Sequence, residues 1–226
     1  MGLQDRGCEV GADTDDARLR WYRLVMREYK RFGTDDPALV GTSEARAAWH
    51  HVAPIHVPAL ADVRRKFFEL TALEPGALDR STTPGHLTGS ALVFNSDATE
   101  TLLLFHTKLQ RWLQPGGHAD GEANLARVAL KEATEETGIE GLEIVDPAVD
   151  IDIHNVAPEG AEPILHYDVR FVVIAPQGAQ PVGNHESEDI KWVSLDDLDD
   201  YDLDEGHHRL IAAGKAVADE LLNELA

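Results

Sequence analysis

Residues 116–122 read Gly-Gly-His-Ala-Asp-Gly-Glu, and the run behind them ends Lys131-Glu132-Ala133-Thr134-Glu135-Glu136-Thr137-Gly138-Ile139. Glycines let a backbone turn tightly and approach another group closely. Leu125, Val128 and Ala129 recur at helical spacing, which predicts a helix over 123–137 with one packed stripe. Thr137-Gly138 gives that helix a glycine stop. At about 100° per residue, Glu132, Glu135 and Glu136 fall on one side of it. Like charges at these spacings repel, and anions near a helix C-terminus oppose the macrodipole. The arrangement costs stability unless a cation compensates. Mg²⁺ takes a few carboxylates plus substrate phosphates. The plain alternative is a solvated acidic face on an acidic protein.

The spacing of Gly117, Glu132, Glu135, Glu136, Gly138 and Ile139 resembles the Nudix box of Nudix hydrolases. That pattern reads Gly, five residues, Glu, seven residues, Arg-Glu, an aliphatic, any residue, Glu-Glu, any residue, Gly, an aliphatic. It fits from Gly117 through Ile139 without a gap. Three positions depart from it: Ala123 stands for the first Glu, Lys131 for Arg, and Ala133 for the first aliphatic. Lys131 is thereby left without the early Glu, with Glu122 as the substitute one residue before. Returning Glu to position 123 is expected to restore a pair with Lys131. The resemblance implies an α/β/α sandwich around a mixed β-sheet. It further implies a hydrolase that cleaves the pyrophosphate bond of a nucleoside diphosphate linked to another moiety. Mg²⁺, with Mn²⁺ as the other ion to consider, would be held by Glu132 and Glu136 first, then Glu135. The backbone carbonyl of Gly116 would be a further ligand. The same three glutamates are the expected catalytic residues, with Glu186 or Glu188 as later-loop alternatives for the general base.

Composition bounds the partners. The chain has 226 residues and a formal net charge of −21, with 20 Lys and Arg against 41 Asp and Glu. No basic block is present to neutralise a phosphate backbone, so nucleic acid is a poor partner. The same field repels a free polyphosphate, and a bound cation with a few local basic residues must invert it. Arg111, Lys108, Arg127, Lys131 and Arg170 are the candidates. Cys8 is the only cysteine, which rules out a disulfide framework or a cysteine-based zinc site within one chain. There is no apolar span of about 20 residues and no signal-peptide pattern. A cytoplasmic protein that engages no membrane is expected.

Periodicity divides the chain in two. Residues 1–80 read as a helical N-terminal extension, with helices over 14–32, 43–53 and 57–72. It is expected to pack on the catalytic domain or to serve a homodimer interface. Residues 81–226 read as the catalytic domain. Strands are predicted over 87–94, 101–105, 142–154, 164–174 and 190–193, and a closing amphipathic helix over 204–224.

The histidines of the second part form the other constellation. His106, His118, His154 and His166 lie in or beside predicted strands. Alternation puts His166, Asp168 and Arg170 on one sheet face, and Asp150, Asp152 and His154 likewise. The plain reading is half-buried hydrogen-bonding residues. The sharper one is a substrate pocket in which His118, Arg111, Arg170, His166 and Asp168 contact phosphate or base. A histidine metal site is the competing constellation. Its usual helix signatures, Glu-x-x-His and His-Glu-x-x-His, are absent from the box helix, so Mg²⁺ on the glutamates is preferred. The expected partner is a small nucleotide: a sugar nucleotide of the ADP-ribose kind, an oxidised nucleoside triphosphate or a dinucleoside polyphosphate. A non-catalytic nucleotide-binding or sensor module with a degenerate box is the alternative.

Overall fold

The computed structural model describes residues 28–73, 76–156 and 163–224. Its strands are β1 (Lys30–Phe32), β2 (Gly85–Phe94), β3 (Glu100–His106), β4 (Trp112–Leu113), β5 (Gly116–His118), β6 (Glu143–Val156), β7 (Ile164–Ile174) and β8 (Ser187–Ser194). They form one sheet in the order β1-β6-β7-β2-β3-β4, with β5 also on β2 and β8 also on β3. The β2–β7 pair is parallel, from Gly85↔Leu165 to Phe94↔Ile174. The other pairs are antiparallel. The helices are α1 (Trp49–Val52), α2 (Ala61–Thr71), α3 (Leu125–Thr137) and α4 (Glu205–Glu224). The mixed sheet lies between α3, α1 and α2 on one face and α4 on the other, the α/β/α layering that the sequence implied.

The two faces follow from period-2 alternation along β2. Leu87, Ala91 and Val93 join Leu125, Ala129 and Ala133 of α3 in one buried cluster. Leu92 and Phe94 join Val172, Ile174, Leu210, Ile211 and Val217 in a second cluster beneath α4. Nearer its start, β2 turns His86, Thr88 and Ser90 to that second face. Parallel register sets them beside His166, Asp168 and Arg170 of β7. The α4 side of the sheet is thus apolar at one end and polar at the other.

Residues 39–78 supply part of the first cluster. Leu39, Val52, Ile55, Leu60, Phe67, Leu70 and Leu78 are buried with Leu87, Val169 and Phe171. Phe67 meets Tyr167 of β7 edge-on, with ring centroids 5.3 Å apart. Of the two roles expected for the N-terminal part, this packing is what the described residues display. The helices expected over 43–53 and 57–72 form, each opened by a turn of 3₁₀-helix at Ala45–Ala48 and Pro58–Leu60. The expectation over 14–32 is corrected at its end. Lys30–Phe32 is strand, paired antiparallel with Asp146, Val145 and Ile144 of β6. Open backbone groups on an edge strand, with Phe32 packed on the core, outweigh local helix propensity here. Residues 14–27 lie outside the described part. No described helix is long and apolar enough to cross a membrane.

Candidate active site

α3 carries the carboxylates. Asn124 caps its start by accepting the Arg127 N–H at 3.3 Å, and Gly138 ends it at φ 65°, a left-handed conformation that glycine adopts without strain. Its buried side includes Ala129, Ala133 and Glu136, a spacing of four and then three. Glu136 therefore stands where the packing stripe calls for an apolar residue. The three acids are not equivalent. Glu136 is 5% exposed, whereas the side chains of Glu132 and Glu135 are 22% and 57% exposed.

The Glu136 carboxylate accepts the backbone N–H of Gly116 at 3.0 Å. Burial pushes its pKa up to about 8; the Gly116 bond opposes this, and the charges of Glu132, Glu186 and Glu135 reinforce it. The Glu132 carboxylate lies so close to Gly117 that a Cβ there would meet it at 2.6 Å. Gly117 thus lets the loop lie directly against Glu132, while Gly116 lies against Ser90 of β2, where a Cβ would meet the serine side chain. Lys131 bonds Glu135 at 2.9 Å and Glu132 at 3.1 Å, and so orients both.

The expected role of Glu122 is corrected. Its Oε1 accepts the N–H groups of Thr42 and Asn124, each at 2.8 Å, and its Oε2 lies 3.6 Å from Arg127 Nε. It ties the N-terminal segment to the helix start, while Lys131 takes its partners from α3 itself. Ala123 is fully buried, and its N–H donates to the Thr42 carbonyl. A glutamate at 123 would have to enter the core, so the pair expected with Lys131 is not available.

Of the later-loop acids, Glu186 faces the carboxylate cluster electrostatically, and Asn184 beside it donates to the Glu135 carbonyl at 3.3 Å. Glu188 instead accepts a bond from Gln110 at 2.7 Å.

The five residues expected to bind substrate separate into three groups. Arg170 is 2% exposed and Asp168 is 1% exposed. The Arg170 guanidinium bonds Asp168, Asp152, Asp150 and the Gly206 carbonyl at 2.8–3.4 Å. Asp168 also accepts from Thr88 and Ser90, and Arg209 of α4 bonds Asp150 and Asp152. These residues form an internal network joining β2, β6, β7 and α4, in which Arg170 and Asp168 are buried and bonded to protein groups. Arg111 pairs with Asp204 just before α4 at 2.9 Å.

His118 and His166 belong to a cluster with His86. The three ring centroids are 4.9–5.0 Å apart, and His154 adds a fourth ring 5.7 Å from His166. Burial, then the neighbouring imidazole His118, holds His86 down to about 4. The same two causes, with His86 and His154 added, hold His166 down to about 3. The His86 and His166 rings are therefore neutral at neutral pH. His86 was missed in sequence because it stands at the start of a strand; the signal was the alternation His86-x-Thr88-x-Ser90. Arg80 was also missed. It pairs with Asp120, and its charge acts on His86 and His118 and interacts with Glu132. It is a cation at this end of the sheet in a strongly acidic protein.

No curated protein matches the sequence. Among solved structures, an Ap4A hydrolase from C. elegans in a binary complex is similar at 19% identity. That match covers 59% of this chain and 98% of that one, with a TM-score of 0.49. A NUDIX-family hydrolase from Clostridium perfringens is similar at 22% identity, covering 60% and 97%, with a TM-score of 0.43. The NUDIX domain of Shewanella oneidensis NrtR in complex with ADP ribose is similar at 21% identity, covering 61% and 90%, with a TM-score of 0.43. The NUDIX domain model matches residues 86–214, more than half of the chain, from the first residue of the histidine cluster through the carboxylate helix into α4, and the protein therefore belongs to the NUDIX family.

Proposed function

We propose that this protein hydrolyses the pyrophosphate bond of a nucleoside diphosphate linked to another moiety, with Mg²⁺ held by Glu132, Glu136 and Glu135. The observation that carries the reading is Glu136, a carboxylate buried among Glu132, Glu135 and Glu186 whose pKa rises to about 8 without a cation. A carboxylate buried beside three others stays protonated near neutral pH unless a cation offsets its charge. The donor set is all oxygen, which fits a hard ion such as Mg²⁺ or Mn²⁺. The Gly116 carbonyl remains the proposed further ligand. A divalent cation there supplies charge to phosphate oxygens and acidifies water.

The chain's own residues do the positioning. The Gly116 N–H fixes the orientation of Glu136. Lys131 holds Glu132 and Glu135 together against their repulsion. Glu186 brings a further acid from the β7–β8 loop for proton handling. Arg80 offers a cation to a phosphate, in place of Arg170, whose charge is used internally. A small-molecule nucleotide is the proposed partner, and a single cysteine in 226 residues supports a cytoplasmic setting.

The test is a product-release panel of sugar nucleotides, nucleoside triphosphates and dinucleoside polyphosphates, run with Mg²⁺, with Mn²⁺ and with excess chelator. Release of a phosphate-containing product only with metal is expected. Full activity in chelator would overturn the metal reading. Nucleotide binding without turnover across the panel would favour the sensor module.

A further inference from the structure

We propose that His86, His118 and His166 form a three-imidazole site for a transition-metal ion of the Zn²⁺ class, separate from the carboxylate cluster of α3. Each ring offers one nitrogen, and these three atoms lie within 4.8 Å of one another. In a tetrahedral site with Zn–N of about 2.0–2.1 Å, ligand nitrogens stand roughly 3.3 Å apart. Small side-chain rotations close that difference.

The backbone sets this meeting. Parallel register puts His86 of β2 beside His166 of β7. β5 pairs with β2 on its other edge, Thr88↔His118, and brings the third ring from that side. Three separate strands converge on one point, and the rings form a nearly equilateral triangle.

A second observation points to a ligand. His86 is 2% exposed, and neither of its ring nitrogens has a hydrogen-bond partner. A neutral imidazole carries one donor and one acceptor, and leaving a buried polar group unpaired costs about 1–3 kcal/mol. Buried polar side chains in native proteins are bonded in the large majority of cases. A metal ion within the triangle gives the His86 lone pair its partner.

Imidazole suits Zn²⁺, Cu²⁺, Ni²⁺ and Fe²⁺, whereas Mg²⁺ prefers oxygen. The site therefore selects a different ion from the glutamate cluster. Three protein ligands leave a fourth position for water or a substrate oxygen. Asp152 bonds His154 Nδ1 at 3.1 Å, and so steadies the fourth ring beside His166. A surface cleft lined by Leu78, Asp79, Arg80, Asp120 and Gly121 lies nearby, and the Arg80 and Asp120 charges act on both His86 and His118.

The experiment is a Zn²⁺ titration of the full, tag-free chain, followed calorimetrically in excess Mg²⁺, and repeated with Co²⁺ for its visible spectrum. One Zn²⁺ per chain is expected, with a tetrahedral Co²⁺ spectrum. His86→Ala and His166→Ala should weaken binding by more than the roughly 10–100-fold that loss of an outer partner costs. The double variant Glu132→Gln with Glu136→Gln should keep it. Unchanged affinity in the histidine variants, or loss in the glutamate double variant, overturns the proposal. Imidazole ¹⁵N spectra of the unsubstituted chain guard against variants that fail to fold. One equivalent of Zn²⁺ should shift the His86, His118 and His166 rings, and shifts confined to other histidines overturn the proposal.

Discussion

The Glu136 carboxylate reaches out of α3 to accept the Gly116 N–H at 3.0 Å. This one bond ties the glycine loop to the helix and orients a buried carboxyl group. Loop and helix thereby act as a unit, and the chemistry of the site depends on their registry.

Glu136→Gln should lower turnover at saturating Mg²⁺ by roughly 10²–10³, the scale for removing one strong electrostatic contributor. In chelator, at pH 8 and above, the same variant should melt at an equal or higher temperature than the parent, because it removes a charge buried beside the other acids. Steady-state kinetics and thermal melts on the same samples check both signs. Near-normal turnover in Glu136→Gln and in Glu132→Gln would mean that this face is merely an acidic surface.

The apo protein should show a pH signature from the same residue. The folded pKa of Glu136 is raised, so the folded state binds more protons than the unfolded one between about 4.5 and about 8. Its contribution to stability is complete below the unfolded pKa and is lost as pH rises through the folded one. The melting temperature of the parent minus that of Glu136→Gln, in chelator, should therefore fall from pH 5 to pH 8. His86 and His166 act in the opposite sense. Their folded pKa values are depressed to about 4 and about 3, so their contribution is present above about 6.5 and is lost on acidification. His166→Gln should flatten the acid limb of the melting profile.

Gly117→Ala should act on function more than on the fold. The added methyl meets the Glu132 carboxylate at 2.6 Å, the end of a side chain that can swing away. A misplacement of about 1 Å can cost on the order of 10²-fold in rate, and the melting temperature should change little. Gly89→Ala is the contrast. Its methyl meets the Leu125 carbonyl at 2.7 Å and the Ala129 N at 3.3 Å, which are backbone atoms of α3. Pushing α3 off β2 should cost roughly 1–3 kcal/mol, the usual range for overpacking. Denaturant melts and kinetics on both variants separate the two effects.

Arg170→Met should destabilise strongly without a selective rise in KM. It leaves Asp168 buried without its guanidinium partner and Asp150 with Arg209 alone. Breaking a buried pair from one side costs about 3–5 kcal/mol. A variant of normal stability with a raised KM would restore the substrate-binding role first expected of Arg170.

Ala123→Glu should lower stability. Ala123 is fully buried and its N–H is bonded to Thr42, so the added carboxylate enters a packed junction between α3 and the N-terminal segment. Equal or higher thermal stability, with raised activity, would show that a pair with Lys131 forms after all.

The carboxylate helix, its glycine entry and its glycine stop were legible in the sequence, because each rests on local spacing: three and four residues along a helix, and glycines at its ends. The layered fold was legible for the same reason, since strand and helix periods differ. The end of the predicted first helix was not, because Lys30–Phe32 becomes strand only when β6 offers an edge. The different fates of Arg170 and His166 were not legible either. Both stand on the same face of β7 at even spacing, and the sequence gives no sign that one meets Asp150 and Asp152 while the other meets His86 and His118. The antiparallel register of β6 on β7 sets Asp150 beside Arg170, and the parallel pairing of β2 with β7, across some 80 residues of chain, sets His86 beside His166. Such pairing also places Glu122 against Thr42 and buries Ala123. Sequence alone determined which residues carry charge and on which element they stand. Tertiary structure decided which charges are spent inside the protein and which remain for a ligand, because only long-range packing sets burial, and burial sets the cost of leaving a charge or an imidazole unpaired.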